Sequence, residues 1–289
     1  MIVQKQKRLA EEATNHPERK FKQLYKLLHW DKWLEAAAHR VLAKSGSDTG
    51  GVDGENRHYF KKTFDRQLSD LREELKNRSY QPLPVKRVFI PKPNGKKRPL
   101  GIPALRDRIV QEALRMILEP IFESTFSKCS FGFRPKRCTM DAIARLMPCF
   151  NSSVKRYYVI EGDIKSYFDT VNHRILLKLI KAKIADKGII DLIHLFLKAG
   201  VMKGQLFFKT GEGVPQGGII SPLLANVYLN HLDKWVDNKW HNFTANERRR
   251  IRRSGKGSFM YVRYADDFVV VSNAPMTEVR EAKEQIKNF

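Results

Sequence analysis

Two adjacent aspartates, Asp266 and Asp267, stand in the run Met260-Tyr-Val-Arg-Tyr-Ala-Asp-Asp-Phe-Val-Val-Val-Ser272, between two apolar stretches. Like charges side by side raise each other's pKa unless a cation offsets them. Mg²⁺ resolves the conflict, because it favours hard carboxylate oxygens and commonly takes only one or two from protein. An ordinary polar turn is the competing interpretation, since Asp is frequent in turns. A third carboxylate, Asp163, closes the apolar run Val159-Ile-Glu-Gly-Asp163 just before a change to helix. If that strand pairs beside the Asp266 hairpin, three carboxylates converge. Two metals about 3.5–4 Å apart can then activate an attacking hydroxyl and stabilise the leaving group of an in-line phosphoryl transfer. Asp169, six residues on, reads as a cap or turn residue rather than a ligand.

The elements that must position these groups follow from periodicity. Tyr157 to Ile164 is a strand candidate, and Phe259 to Ser272 reads as two strands around a tight Ala-Asp-Asp turn. Asn172 or Thr170 can cap a helix over His173 to Ile184, and Ser221-Pro222 opens another whose buried face is Leu224, Val227, Tyr228, Leu232 and Trp235. Upstream, Met1 to Lys44 reads as helix, broken near His16-Pro17, and Ser45 to Gly54 as a glycine-rich loop. A further helix carries Phe60, Phe64, Leu68, Leu71 and Leu75 on one face, and Arg106 to Phe122 is helical again. Between them Val85 to Pro99 predicts a β-hairpin with a basic tip at Pro93-Asn-Gly95. Glu247 to Gly257 carries six positive side chains in eleven positions, either a solvated loop or a phosphate-contacting arm. Helical spacing of Val279, Ala282, Ile286 and Phe289 runs to the last residue, so a further domain is expected beyond it.

Composition narrows the partners. The 289 residues hold 54 Lys plus Arg against 31 Asp plus Glu, a net charge of +23. Self-repulsion of that size favours a polyanionic partner, and binding phosphates releases counterions. A basic surface kept for solubility and an anionic membrane surface are the other options. No run of 18 apolar residues occurs and the N-terminus lacks an apolar signal core, so neither a spanning helix nor a secretory signal is expected. Three cysteines, Cys129, Cys138 and Cys149, form no Cys-x-x-Cys pair. That supports neither a disulfide framework nor a zinc site and fits a reducing cytoplasm.

Taken together, the motifs resemble those of reverse transcriptases. Tyr264-Ala-Asp-Asp267 and Asp163-Ile-Lys-Ser-Tyr-Phe-Asp169 look like the catalytic motifs. Ile90-Pro-Lys-Pro-Asn-Gly-Lys-Lys-Arg-Pro-Leu-Gly-Ile-Pro103, Ser130-Phe-Gly-Phe-Arg-Pro135 and Gly213-Val-Pro-Gln-Gly-Gly-Ile-Ile-Ser-Pro-Leu-Leu-Ala-Asn226 are similar to segments of bacterial group II intron-encoded proteins. The resemblance runs in family order from about Gly51 to Ser272. It implies an α+β fold of right-hand polymerase fingers and palm, with an antiparallel palm sheet packed on helices, a basic finger hairpin and a helical N-terminal extension. It implies that Asp163, Asp266 and Asp267, with the Ile164 carbonyl, hold two Mg²⁺ ions, for which Mn²⁺ can substitute. Lys92 and Arg98 would hold the incoming deoxynucleoside triphosphate. Phe168 would sit under the sugar and exclude a 2′-hydroxyl, although without the resemblance it reads as a core residue. Gln216 would lie by the nascent base pair. Arg134 and Gly217 would contact nucleic acid; Arg249 and Arg250 stand in a stretch richer in charge than the family motif needs, and are nucleic-acid candidates on charge alone.

The same resemblance implies an extension over residues 1–54, fingers over 55–150 and a palm over 151–289 with part of the fingers at 173–212; a thumb and a maturase domain would follow the palm. The partners implied are group II intron RNA, an RNA template with DNA primer, and dNTP, in a bacterial cytoplasm and with no membrane. Palm surface left open without a thumb could pair two copies as a homodimer. Two other functions stay open: an RNA-binding maturase fragment without polymerase activity of its own, and a retron or diversity-generating reverse transcriptase.

Overall fold

The structure is a computed structural model and describes residues 1–91, 95, 97–150, 158–204, 206–208, 211–254 and 256–289. The chain begins with α1 (Ile2–Asn15), α2 (Asp31–Leu42), α3 (Arg57–Lys62), α4 (Phe64–Lys76), β1 (Val85–Pro91), β2 (Lys97–Ile102), α5 (Leu105–Glu123) and α6 (Thr139–Leu146). It continues with β3 (Tyr158–Asp163), α7 (Tyr167–Thr170), α8 (His173–Lys181), α9 (Lys187–Lys198), β4 (Val201–Lys203) and β5 (Leu206–Phe208). Last come α10 (Ser221–Val236), α11 (Ala245–Arg253), β6 (Phe259–Tyr264), β7 (Asp267–Ser272) and α12 (Met276–Lys287). These elements form two compact units, Met1–Thr125 with Ser166–Ala225, and Phe126–Lys165 with Asn226–Phe289.

The first unit is built on α5, which is buried on nearly every side. Pro120 inside it has no N–H, so the carbonyl four residues earlier loses its helical donor. Gln6 of α1 supplies the replacement, its Nε2 donating to Met116 O at 2.9 Å. Trp33 of α2 donates to Ala113 O at 3.0 Å. Two predicted helices are shorter than their apolar stripes. The expected break near His16-Pro17 is present, α1 ending at Asn15, but helix resumes only at Asp31, and Phe21, Leu24 and Leu28 reach the core from the chain between, which holds one 3-10 turn. The second is interrupted at Thr63, which caps α3 and starts α4. Asn56 holds the front of α3 by accepting from the His58 and Tyr59 N–H groups.

The strands of the predicted hairpin are present as β1 and β2, paired from Lys86↔Ile102 to Pro91↔Lys97, while Pro93 and Asn94 of its predicted tip lie outside the described residues. Its sheet has four strands in the order β2-β1-β4-β5, and β1 lies parallel to β4. The three-residue strands β4 and β5 carry no alternation long enough to read in sequence.

The second unit centres on a fully antiparallel sheet in the order β3-β7-β6. On one face Ile160, Tyr261, Phe268 and Val270 pack against Leu232 and Val236 of α10 and Val279 and Ala282 of α12. On the other face Val262 packs with Phe131 and Ala142 of α6, while Val159, Glu161 and Asp163 are exposed. The arginine-rich stretch, for which a solvated loop was one expectation, is the helix α11. Thr244 and Glu247 close its first turn reciprocally: the Thr244 N–H donates to Glu247 Oε2 at 2.7 Å and the Glu247 N–H to Thr244 Oγ1 at 3.2 Å.

One buried carboxyl in the first unit yields a pH test. Asp107 accepts from Tyr80 Oη at 2.5 Å and from the Leu83 N–H at 2.9 Å. Burial pushes it up to about 6, and those hydrogen bonds only partly oppose the shift. A carboxyl raised on folding binds its proton more tightly in the native state, so its contribution to stability falls as pH rises from about 4 through 6. The difference in urea stability between wild type and Asp107→Asn should therefore shift by roughly 2–3 kcal/mol between pH 4 and pH 7. Parallel pH profiles for the two proteins would show that Asp107 is not perturbed.

Candidate active site

Asp163 ends β3 and Asp267 begins β7, and the two are direct partners in the antiparallel register. Asp266 is the second residue of the two-residue turn between Tyr264 and Asp267. The structure thus brings the three predicted aspartates together at one end of one sheet. Burial raises the Asp267 carboxyl, and the charges of Asp266, Asp163 and Glu161 raise it further. A site that concentrates negative charge in this way, with oxygen donors only, suits a hard divalent cation.

Two glycines make the arrangement fit. A Cβ on Gly162 would lie 2.1 Å from the Phe268 ring, so only glycine lets that ring cross β3 beside Asp163. A Cβ on Gly132 would lie 2.3 Å from the Ala265 nitrogen. The Ser130-Phe-Gly-Phe-Arg-Pro135 segment is therefore the floor under the acidic turn. It also covers the outer edge of β6: the Arg263 N–H donates to Cys129 O at 2.8 Å and the Phe131 N–H to Arg263 O at 2.9 Å.

A different set of side chains has metal-ligand chemistry. The ligand atoms of Cys129, Asp237 and His241 lie within 4.8 Å of one another. His241 Nε2 accepts from the Tyr261 N–H at 3.4 Å, and Nδ1 lies 2.8 Å from Asp237 Oδ1. That leaves the ring proton on Nδ1, facing the carboxylate. Through the Tyr261 N–H the cluster also caps the β6 edge.

Comparison with known proteins agrees with the geometry. A model described as "Reverse transcriptase (RNA-dependent DNA polymerase)" matches residues 90–289. The chain belongs to the reverse transcriptase family. It is 40% identical over 306 residues to Protein YkfC of Escherichia coli K12, covering 99% of this chain and 80% of that protein. It is 33% identical over 328 residues to the group II intron-encoded protein LtrA of Lactococcus lactis subsp. cremoris, covering 98% of this chain but 54% of LtrA. A putative COX1/OXI3 intron 2 protein of Saccharomyces cerevisiae is 34% identical over 241 residues, covering 81% of this chain and 27% of that protein. Among solved structures, a chain of a partial Cas6-RT-Cas1–Cas2 complex shares the fold with a TM-score of 0.53 at 20% identity, covering 91% of this chain and 42% of that one.

Other predicted reverse transcriptase residues fall in both units. Ile164 follows Asp163 in the second unit, half-buried. Arg98, Phe168, Gln216 and Gly217 belong to the first unit, and Lys92 lies outside the described residues. Arg98 is exposed on β2, opposite Ile90. Phe168 is half-buried beside the Tyr167 ring, and its carbonyl accepts from the Val214 N–H at 2.6 Å. Gln216 is half-buried, its carbonyl accepting from the Gly101 N–H at 2.6 Å. Gly217 has φ +110°, and a Cβ there would lie 2.4 Å from Gly101 O, so the close approach it permits is to protein backbone. Arg134 is buried: Nη1 donates to Ser127 O and Ser130 O at 2.6 and 2.8 Å, and the guanidinium lies over Phe126. Those contacts fold its own loop. Arg249 and Arg250 are exposed on α11.

Sequence reasoning missed the polar network under the turn, formed by Ser130, Asn226, Asp233 and Arg263. The one available signal was an arginine inside an otherwise apolar strand. Gly132→Ala tests the floor of the turn. Forcing the turn to move should reduce primer extension at least ~100-fold while lowering stability by only about 1–3 kcal/mol. Full extension by a folded Gly132→Ala protein would show that the turn tolerates displacement.

Proposed function

We propose that this chain is the catalytic part of a group II intron-encoded protein, extending a DNA primer on an RNA template and binding intron RNA in support of splicing. The observation that carries the proposal is the direct pairing of Asp163 with Asp267 beside Asp266. The chain spans about half the length of LtrA, so the activity of a whole intron-encoded protein is part of the proposal. The unit with the acidic sheet would be the palm, and the basic β1–β2 hairpin part of the fingers.

Asp163, Asp266 and Asp267, with the Ile164 carbonyl, would hold two Mg²⁺ ions. Such ions supply charge neutralisation at the transferred phosphate and a more acidic 3′-hydroxyl. The chain's own residues would do the rest. Arg98, with Lys92, would fix the triphosphate through cations already in place, which stabilises developing charge without reorganisation. The Phe168 ring would exclude a 2′-hydroxyl, and Gln216 would lie against the nascent pair.

Binding of RNA would rest on the +23 charge, spread over surfaces that include Arg249 and Arg250 of α11. Structured RNA is read largely through shape and backbone, which suits a broad basic surface. No described helix is long and apolar enough to cross a membrane. Pairing of two copies through open palm surface is the further partner this proposal includes.

Asp266→Ala combined with Asp267→Ala should lower primer extension on an RNA template at least ~10³-fold, with RNA affinity unchanged within about twofold. Undiminished extension would remove the metal-site assignment. RNA affinity should fall steeply with added salt, and Arg249→Ala with Arg250→Ala should lower the log–log slope by about 2. A salt response unaffected by the pair would place the RNA elsewhere.

A further inference from the structure

Arg263 of β6 and Asp233 of α10 both have 0% side-chain exposure. The five guanidinium N–H groups meet five acceptor contacts. Nε donates to Asp233 Oδ1 at 2.8 Å and Nη2 to Asp233 Oδ2 at 2.6 Å. Nη2 also donates to Ser130 Oγ at 2.8 Å, and Nη1 to Asn226 Oδ1 at 3.1 Å. The remaining contact runs from Nη1 to the carbonyl of Ala265, at 2.6 Å. Tyr261 Oη adds a hydrogen bond to Asp233 Oδ1 at 3.0 Å, and Asn226 Nδ2 donates to Gly132 O at 2.9 Å.

A buried ion pair is by itself a weak source of stability. Replacing a buried ion pair with apolar residues of similar volume is often neutral or stabilising. No apolar side chain, however, can donate to the Ala265 carbonyl. Ala265 has φ +58°, a left-handed backbone conformation disfavoured for any residue with a Cβ. Its carbonyl belongs to the peptide that leads into Asp266, so holding that oxygen sets the plane from which Asp266 departs. Asn226 links the same guanidinium to Gly132, the residue under the turn. The turn is thereby fixed from below at two points.

We propose that Arg263, held by Asp233 and Asn226, is a positioning residue that keeps the left-handed Ala265-Asp266 turn in the geometry presenting both turn carboxylates to divalent cations. The proposal rests on the metal-dependent polymerase function above. Arg263 touches no substrate in this scheme; it acts through the backbone of Ala265. Arg263→Lys keeps the charge and can still reach Asp233, but it cannot serve Asp233, Asn226 and the Ala265 carbonyl together.

The test is a double-mutant cycle of Arg263→Lys and Ala265→Gly in the full chain. Three readouts are needed: amide hydrogen exchange at residues 264–267, Mn²⁺ binding followed by electron paramagnetic resonance, and the Mn²⁺ concentration giving half-maximal primer extension. In Arg263→Lys, exchange at the turn should rise at least ~10-fold and the Mn²⁺ requirement by a similar factor, with RNA affinity unchanged. Ala265→Gly removes the strain that the clamp opposes, so the two changes should be non-additive in exchange and in Mn²⁺ binding. Strictly additive effects, or a folded Arg263→Lys protein with wild-type exchange and Mn²⁺ requirement, would overturn the proposal. Should Arg263→Lys fail to fold, Asn226→Ala takes its place in the cycle, because it removes one anchor and leaves the ion pair intact. If wild type and the Asp266→Ala, Asp267→Ala protein bind Mn²⁺ alike, the polymerase metal site falls, and the exchange data still decide whether Arg263 holds the turn.

Discussion

The alignment of β3 with β7 is the constraint on which the rest depends. Six residue pairs, from Tyr158↔Ser272 to Asp163↔Asp267, bring together carboxylates about a hundred positions apart in the chain. Side chains alternate between faces, so a slip of one residue would turn the Asp163 side chain into the core face and expose the apolar set. Gly162 and Phe268 make the register specific. They are direct partners, and the ring lies where any Cβ would collide. Shifted by one place, the ring would meet Glu161 or Asp163 instead. The burial that stabilises this sheet is thus the same burial that sets the site.

Acidic and basic features divide the chemistry between them. The chain carries a large positive charge, yet the exposed end of its antiparallel sheet gathers Glu161, Asp163, Asp266 and Asp267. Phosphates are attracted to the basic surface and repelled by that end, unless cations stand between. This is a physical reason for a polyanion-handling protein to keep one concentrated acidic spot. Both sheet edges cannot stay open without inviting unwanted pairing. β6 is closed by Cys129, Phe131 and His241, which places the Cys-His-Asp cluster at that edge.

Much of this was legible in the sequence. The hairpin around Ala-Asp-Asp, the strand ending at Asp163 and the basic β1–β2 hairpin follow from short-range alternation and turn chemistry. What stayed hidden depends on distant partners. Arg263 reads only as a charge in an apolar strand, because Asp233 and Ser130 meet it solely in three dimensions. Arg134 was expected to contact nucleic acid, and its burial against Phe126 cannot be seen from its neighbours in sequence. Strands β4 and β5 are too short to show a period. Helix α11 is a different case: its Thr244-x-x-Glu247 capping box was present in the sequence, masked by a run of arginines that resembles unstructured chain.

The measurement that bears most directly on the account is anomalous X-ray scattering from crystals of the chain soaked in Mn²⁺. Density bridging the carboxylates of Asp163 and Asp267, with Asp266 in contact, is the predicted result. Mn²⁺ bound only elsewhere, for instance beside Cys129, Asp237 and His241, with the three aspartates bare at saturating metal, would contradict it.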